Sequence, residues 1–212
     1  MSAAPAGALY AARCVDKPSS SALRAATRPA HLDWIAAQES LFRFAGPLHP
    51  PDATSQPIGS LLIMHGSPPA SAASIERYLY DDPYAKAGLF ESVDVRRWVC
   101  GMASTAPLPD NLFAVWCLDK PQSRALRKAT RSAHLDWWRG AGRSGMIGPF
   151  PADDGDGAVG SLIVCEGESV EEVAQWAKTD PYSTAGLFDS VEVHSVLKAV
   201  EDGKFLLGDV PK

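Results

Sequence analysis

The sequence lacks the signals that mark several large function classes. Its 212 residues include four cysteines, Cys14, Cys100, Cys117 and Cys165, and no CxxC pair. A chain of this length can bury a core without covalent staples, so its thiols are expected reduced, as in a cytoplasm. No apolar run approaches the roughly 18 residues that a bilayer-spanning helix needs, and no membrane is expected as a partner. Positive charge is not in excess: 20 Lys and Arg face 25 Asp and Glu, for a formal net charge of -5. A nucleic-acid partner would need a clustered basic face, so none is expected. No glycine-rich loop follows a strand pattern, which argues against a nucleotide cofactor. No stretch has the spacing of a zinc site, and no cofactor or metal is expected. The first seven residues carry no Lys or Arg ahead of an apolar run, so a secretory leader is not expected. What remains is a soluble globular composition, 46% hydrophobic and 21% charged.

The sequence does contain a repeat. Residues 14–34 lie over residues 117–137 at an offset of 103, with 16 of 21 positions identical, including Asp-Lys-Pro and Ala-His-Leu-Asp-Trp. A second block, Asp82–Val95, lies over Asp180–Val193 at an offset of 98. The drift between the two offsets falls in a Pro/Gly-rich loop, 47–58 in one copy and 149–159 in the other, where insertions cost little. We therefore expect two domains, 8–99 and 112–200, joined by a linker at 100–111 and followed by a tail at 201–212.

Each copy shows the same order of patterns. An apolar strand (9–14; 112–118) precedes a helical stretch (about 20–40; about 122–140) with Leu, Ala and Trp at helical spacing. Pro29 inside the first helix predicts a kink or a late start. A second strand ends at Gly46-Pro47 or Gly148-Pro149, and a third covers 58–65 or 159–166. A second helix follows at about 71–80 or 169–179, with Ser169 and Glu172 spaced as a capping box. A last strand (92–99; 190–197) closes the copy. The fold class is thus α+β: two ferredoxin-like β-α-β-β-α-β domains. With both helices on one side, each sheet has a bare face to bury. Packing the copies sheet to sheet, as an intramolecular dimeric α/β barrel, solves this within one chain. The expected partner state is an internal pseudo-dimer, open to further self-association.

These residues resemble the YCII (YciI-like) family of the dimeric α/β-barrel superfamily, in tandem. The carrying motifs are Asp-Lys-Pro after the first strand, Arg28-Pro-Ala-His31-Leu and Arg131-Ser-Ala-His134-Leu, the Gly-Pro pairs, Gly59-Ser60 and Gly160-Ser161, and the Asp-Pro-Tyr…Ala-Gly-Leu-Phe blocks. The resemblance covers nearly the whole chain. It implies the barrel fold, a small-molecule substrate, and a His–Asp catalytic pair, here His31 with Asp82 and His134 with Asp180. Members are linked to elimination chemistry, and relatives in the superfamily isomerise lactones. Two departures stand out: the two partners of the usual homodimer are fused, and Ser132 replaces the Pro beside the second histidine.

Imidazole titrates near neutral pH, so a His steadied by a carboxylate can remove and return a proton. The competing role for His31 and His134 is structural, in a helix–sheet seam against a backbone carbonyl. A ring–carboxylate separation of about 2.6–3.2 Å beside an open cleft distinguishes the first role. Arg28 and Arg131, three residues before the histidines on the same helix face, suit a substrate carboxylate or phenolate, or a solvated salt bridge. Ser60 and Ser161 offer a hydroxyl to a ligand or a small side chain for close packing. Tyr84 and Tyr182 line a pocket or pack with the hydroxyl at an edge. Asp82 and Asp180 also suit a turn, since the following Pro ends a helix. Asp16 and Asp119 suit a turn or a helix cap, and Trp34 and Trp137 suit the core. The function expected is a cofactor-free lyase or isomerase acting on a small cyclic or aromatic metabolite; the alternative is a non-catalytic metabolite-binding or accessory module.

Overall fold

The computed structural model describes residues 8–51, 56–66 and 71–207. The leader expectation concerns residues 1–7 and lies outside the described residues, as do parts of the first Pro/Gly-rich loop and of the tail. The first copy runs β1 (Ala8–Asp16), α1 (Ser21–Ala36), β2 (Phe42–His49), β3 (Gly59–Gly66), α2 (Ala72–Leu79), a one-turn α3 (Pro83–Lys86) and β4 (Phe90–Trp98). A short β5 (Met102–Ala103) follows. The second copy repeats the series as β6 (Leu112–Asp119), α4 (Arg124–Ala141), β7 (Gly145–Pro151), β8 (Ala158–Glu166), α5 (Val170–Lys178), α6 (Pro181–Thr184) and β9 (Phe188–Val196). Two short strands, β10 (Val200–Glu201) and β11 (Lys204–Phe205), come last.

The fold is α+β, with two ferredoxin-like halves. In one half the strand order is β4-β1-β3-β2, and in the other β9-β6-β8-β7. β3 runs antiparallel to β1 and to β2, and β8 antiparallel to β6 and to β7. Pro29 neither delays nor ends α1, which starts at Ser21 and runs through it to Ala36. The helix stops short of residue 40 because Glu39–Leu41 tightens into a 3₁₀ turn. Only half of the expected capping box forms on α5. Ser169 Oγ accepts from the Glu172 N–H, but the Glu172 carboxylate turns to Arg143 and the Glu168 N–H. The complete box is on α2, where Ser71 and Ser74 cap each other.

By its contacts the chain divides into two compact units. One takes the residues up to Arg97 together with those from Leu197 onward, and the other takes Trp98–Val196. The stretch after each copy's last strand therefore finishes the other copy's unit: β5 pairs with β7, and β10 with β2.

The helix-side core of the first unit alternates along β1 through Tyr10, Ala12 and Cys14, and meets Ile35 of α1 and Ile75 and Leu79 of α2. In the second unit Phe113, Val115 and Cys117 meet Trp138, Val170 and Val173. Each large apolar side chain withdrawn from water in this way contributes about 1.5–3 kcal/mol. One repeated glycine is required by this packing. A Cβ on Gly59 would sit 2.2 Å from the Cys14 carbonyl oxygen, and one on Gly160 2.4 Å from that of Cys117. Only glycine lets β3 lie this close to β1, and β8 to β6, which brings the adjacent serine to the edge of each site.

Candidate functional site

The long first helix of each copy carries its histidine on the sheet-facing side, and the Asp-Pro-Tyr block meets it from the opposite end of the copy. Asp82 is the N-cap of α3, with Pro83 at the first helical position, where no donor is needed. Its Oδ1 accepts the Tyr84 N–H at 2.9 Å and the His31 Nδ1–H at 2.8 Å. Asp180 does the same in the second copy. Its Oδ1 accepts the Tyr182 N–H at 2.9 Å, and both its oxygens lie within 2.9 Å of His134 Nδ1. The turn-making and histidine-holding roles of these aspartates, alternatives in the sequence, are thus performed by one carboxylate. An ionised carboxylate has no proton to give, so Nδ1 carries it and Nε2 is left with a lone pair.

Tyr84 stacks on His31 at 3.9 Å between ring centroids, and Tyr182 on His134 at 4.1 Å. Burial pushes both phenols above their usual range, against the pull of nearby arginines, so they stay protonated at neutral pH. The histidines are 7% and 4% exposed, yet each lines a cavity: 170 Å³ in the first copy and 620 Å³ in the second. Asp82 and Asp180 stand behind the rings, almost fully buried. The arrangement can shuttle a proton through Nε2 while the carboxylate supports the imidazolium.

Arg28, Ser60 and Tyr84 line the first cavity with His31, and Arg131, Ser161 and Tyr182 line the second with His134. Arg28 and Arg131 are exposed at the rims. The serine hydroxyls are already engaged, because each accepts from an arginine that sequence reasoning missed. Arg24 Nη2 donates to Ser60 Oγ (2.9 Å) and to the Gly59 carbonyl (3.0 Å), and its Nη1 reaches both oxygens of Asp16. Arg127 forks onto Asp119 and donates to Ser161 Oγ at 3.0 Å. Asp16 and Asp119 therefore hold these arginines rather than cap the helices, whose N-caps are Ser20 and Ser123.

Burial pushes the Asp16 carboxyl upward, and Arg24 pulls it back. The Arg24 and Arg127 guanidinium carbons also rest over the Tyr84 and Tyr182 rings, at 4.7 and 4.6 Å from the centroids. The signal that would have found them is their place seven residues before each histidine, two turns along one helix face, in both copies. Trp34 and Trp137 are half-buried beside the histidines, and Trp137 stacks on Trp176 at 4.2 Å.

Three of the four cysteines are buried and poor nucleophiles. Burial holds the Cys14 and Cys117 thiols far above their ordinary range and pushes Cys165 up to about 12. Among the described residues no three His, Cys, Asp or Glu side chains group as a metal site. No helix among them is long and apolar enough to cross a membrane.

Comparison with known proteins agrees with this duplicated architecture. The chain is 36% identical over 90 residues to Protein YciI of Escherichia coli O6:H1 and equally to Protein YciI of Shigella flexneri, matching 39% of this chain and 92% of each relative. A solved structure of 5-chloro-2-hydroxyhydroquinone dehydrochlorinase from Burkholderia phenoliruptrix AC1100, in complex with 2,5-dihydroxybenzoquinone, is 30% identical. It matches 44% of this chain and 95% of that one, at a TM-score of 0.40. The putative chlorite dismutase TA0507 shares the fold over 92% of this chain and 98% of its own, at a TM-score of 0.56 and 8% identity. The model of the YCII-related domain matches twice, over residues 8–99 and 111–196. The chain is a tandem member of the YCII-related domain family.

Proposed function

We propose that the protein is a cofactor-independent lyase or isomerase for a small cyclic or aromatic polar metabolite. The observation that carries this reading is the buried His–Asp pair at 2.8 Å, found in both copies, with each imidazole lining a cavity. His31 and His134 are the general base and acid, Asp82 and Asp180 their positioning residues. The free Nε2 takes a proton from a carbon next to an electron-withdrawing group. The C–H electron pair becomes the new double bond. In an elimination the leaving group departs with its own bonding pair and receives the proton back from the imidazolium. In an isomerisation the proton returns to another carbon of the same conjugated system. Aligned proton transfer of this kind contributes typically about 10²–10⁴-fold. The unpaired buried thiols suit a reducing compartment, and we place the protein in the cytoplasm.

The test is a thermal-shift screen of small aromatic and lactone metabolites, followed by assays of His31→Ala, His134→Ala and the double variant. Loss of turnover in the folded double variant is expected, and the single variants divide the activity between the copies. Full activity in the double variant overturns the reading. Tight binding with no turnover by the wild type, across the ligands that bind, makes the protein a metabolite-binding module instead.

A further inference from the structure

The two copies share their buried machinery but not the walls in front of it. Along α4, Arg124, Lys128, Arg131 and Leu135 form one stripe at three- and four-residue spacing, and all four line the second cavity. The equivalent positions of α1, 103 residues earlier, are Ser21, Ala25, Arg28 and Leu32. Two cations have therefore been added to one rim and not to the other.

Most of the positive charge around the second cavity is already neutralised. Arg124 is held by Asp154 at 2.6 Å and Asp156 at 3.5 Å, Arg127 by Asp119, and Arg139 by Asp136 at 2.8 Å. Lys128 and Arg131 have no hydrogen bond or ion pair among the described residues, and both are exposed. Arg131 lines the same cavity as His134 and Tyr182 and is near enough to the Tyr182 phenol to act on it electrostatically. Among the described residues the first cavity has one such free cation, Arg28, and its volume is 170 Å³ against 620 Å³. Residues from the far end of the chain, Ala199 and Leu207, add apolar wall to the smaller one.

We infer that the cavities have diverged in ligand chemistry: the second copy binds an acid-bearing ring whose carboxylate is held jointly by Lys128 and Arg131, while the first copy takes a smaller ligand without that group. This rests on the proposed small-molecule site and adds the substrate's acidic substituent. Lys128 and Arg131 lie three residues apart on one helix, with Cβ atoms roughly 5–6 Å apart, a span that one carboxylate can bridge. His134 and Tyr182, both buried, line the same cavity, where the ring would sit.

The test compares binding of protocatechuate with that of catechol, the same ring without the carboxylate, by isothermal titration calorimetry on the full chain. The proteins are the wild type, Lys128→Ala/Arg131→Ala and Arg28→Ala. The substituted side chains are exposed and unpaired, so the variants are expected to fold, with unchanged melting temperatures as the check. The wild type should prefer protocatechuate by about tenfold or more, a difference that the double variant loses and Arg28→Ala keeps. Because exposed cations carry it, the preference should shrink between about 50 and 500 mM salt. No preference in the wild type, a preference that survives in the double variant, or one lost in Arg28→Ala overturns the inference. Binding needs no turnover, so the outcome is separable from that of the histidine variants: a chain active without its histidines would remove the proton-transfer mechanism and leave this assignment standing.

Discussion

His31 and Tyr84 lie ring on ring, 3.9 Å between centroids and 20° from parallel, although 53 residues separate them in the chain. The same Asp82 oxygen that receives the imidazole proton also receives the Tyr84 backbone N–H, so one carboxylate sets both the tautomer and the partner ring. His134, Tyr182 and Asp180 repeat the arrangement at 4.1 Å and 22°. A histidine pinned on its nitrogen and on its face has little freedom to turn, which is what a base aimed into a cavity requires.

Tyr84→Phe and Tyr182→Phe should separate the ring from its hydroxyl. Both rings are buried, and both phenols are held protonated by burial. Phe keeps the stacking, so melting temperatures should move little. A fall in kcat/KM with a preserved fold assigns the hydroxyl to the ligand. Tyr84→Ala removes the ring itself and should cost about 3–5 kcal/mol in chemical denaturation, as expected for a large aromatic truncated in a core.

Asp82→Asn and Asp180→Asn should remove charge while keeping geometry. An Asn Oδ1 can still cap the following tyrosine N–H and accept from the imidazole. The loss of the carboxylate that supports the imidazolium is expected to lower kcat by about 10²–10⁴-fold, with only a modest stability change. The Ala variants give up the cap as well and should lose about 1 kcal/mol more. Equal kcat in the Asn variants would show that the charge plays no part.

Arg24 and Asp16 form an ion pair with both side chains under a tenth exposed. Arg24→Met leaves a buried carboxylate without its partner and should destabilise the protein by about 3–5 kcal/mol. Arg24→Met/Asp16→Leu, which removes both charges, should recover much of that loss in urea unfolding. If the double variant is as unstable as the single one, the site depends on the hydrogen bonds from Arg24 to Ser60 and Gly59 rather than on the pair.

Thiol titration should count one reactive cysteine in the native protein. Cys14, Cys117 and Cys165 are buried and their thiolates strongly disfavoured, while Cys100 is half-buried. With Ellman's reagent in mild alkali, one equivalent should react quickly in buffer, and all four in denaturant. Rapid native reaction of more than one thiol would contradict the packing of β1, β6 and β8.

The order of strands and helices was legible because each element rests on a local signal written twice, whereas the pairing of His31 with Asp82 and of His134 with Asp180 was implied by the family resemblance. Hydrophobic period, the Asp-Pro-Tyr cap and the Ala-His-Leu repeat all survive in short windows. Arg24 was not legible, because Asp16 reads equally as a cap until the chain is seen to fold back and place the arginine against it. β5 was hidden in the segment read as linker, and β10 straddles the boundary drawn between the second domain and the tail: two-residue strands have no period, and their partners, β7 and β2, lie far away in sequence. Cavity volume depends on how the walls pack, and no residue pattern encodes it directly.

The Glu172–Arg143 pair should give the protein an acid-sensitive contribution that can be isolated by substitution. The Arg143 hydrogen bond, first among the causes, holds the Glu172 carboxyl below its usual value of 4.5. A folded-state value below the unfolded one means that the native state favours the ionised form. The contribution is then fully present above 4.5 and fades as pH falls through the folded value. Asp16 works in the opposite direction, since its raised value makes ionisation unfavourable to the fold as pH rises, so the raw pH profile mixes the two signs. The difference between wild type and Glu172→Gln removes Asp16 from the comparison. That difference should be largest near neutral pH, up to about 1 kcal/mol for a partly exposed pair, and should close in acid. Arg143 keeps its stacking on Trp176 at 4.4 Å and its bond to the Glu166 carbonyl in the variant, so the helix start stays in place. Thermal unfolding of both proteins from about pH 3 to pH 7 measures it. A gap that does not change with pH would mean that Glu172 acts through packing, not charge.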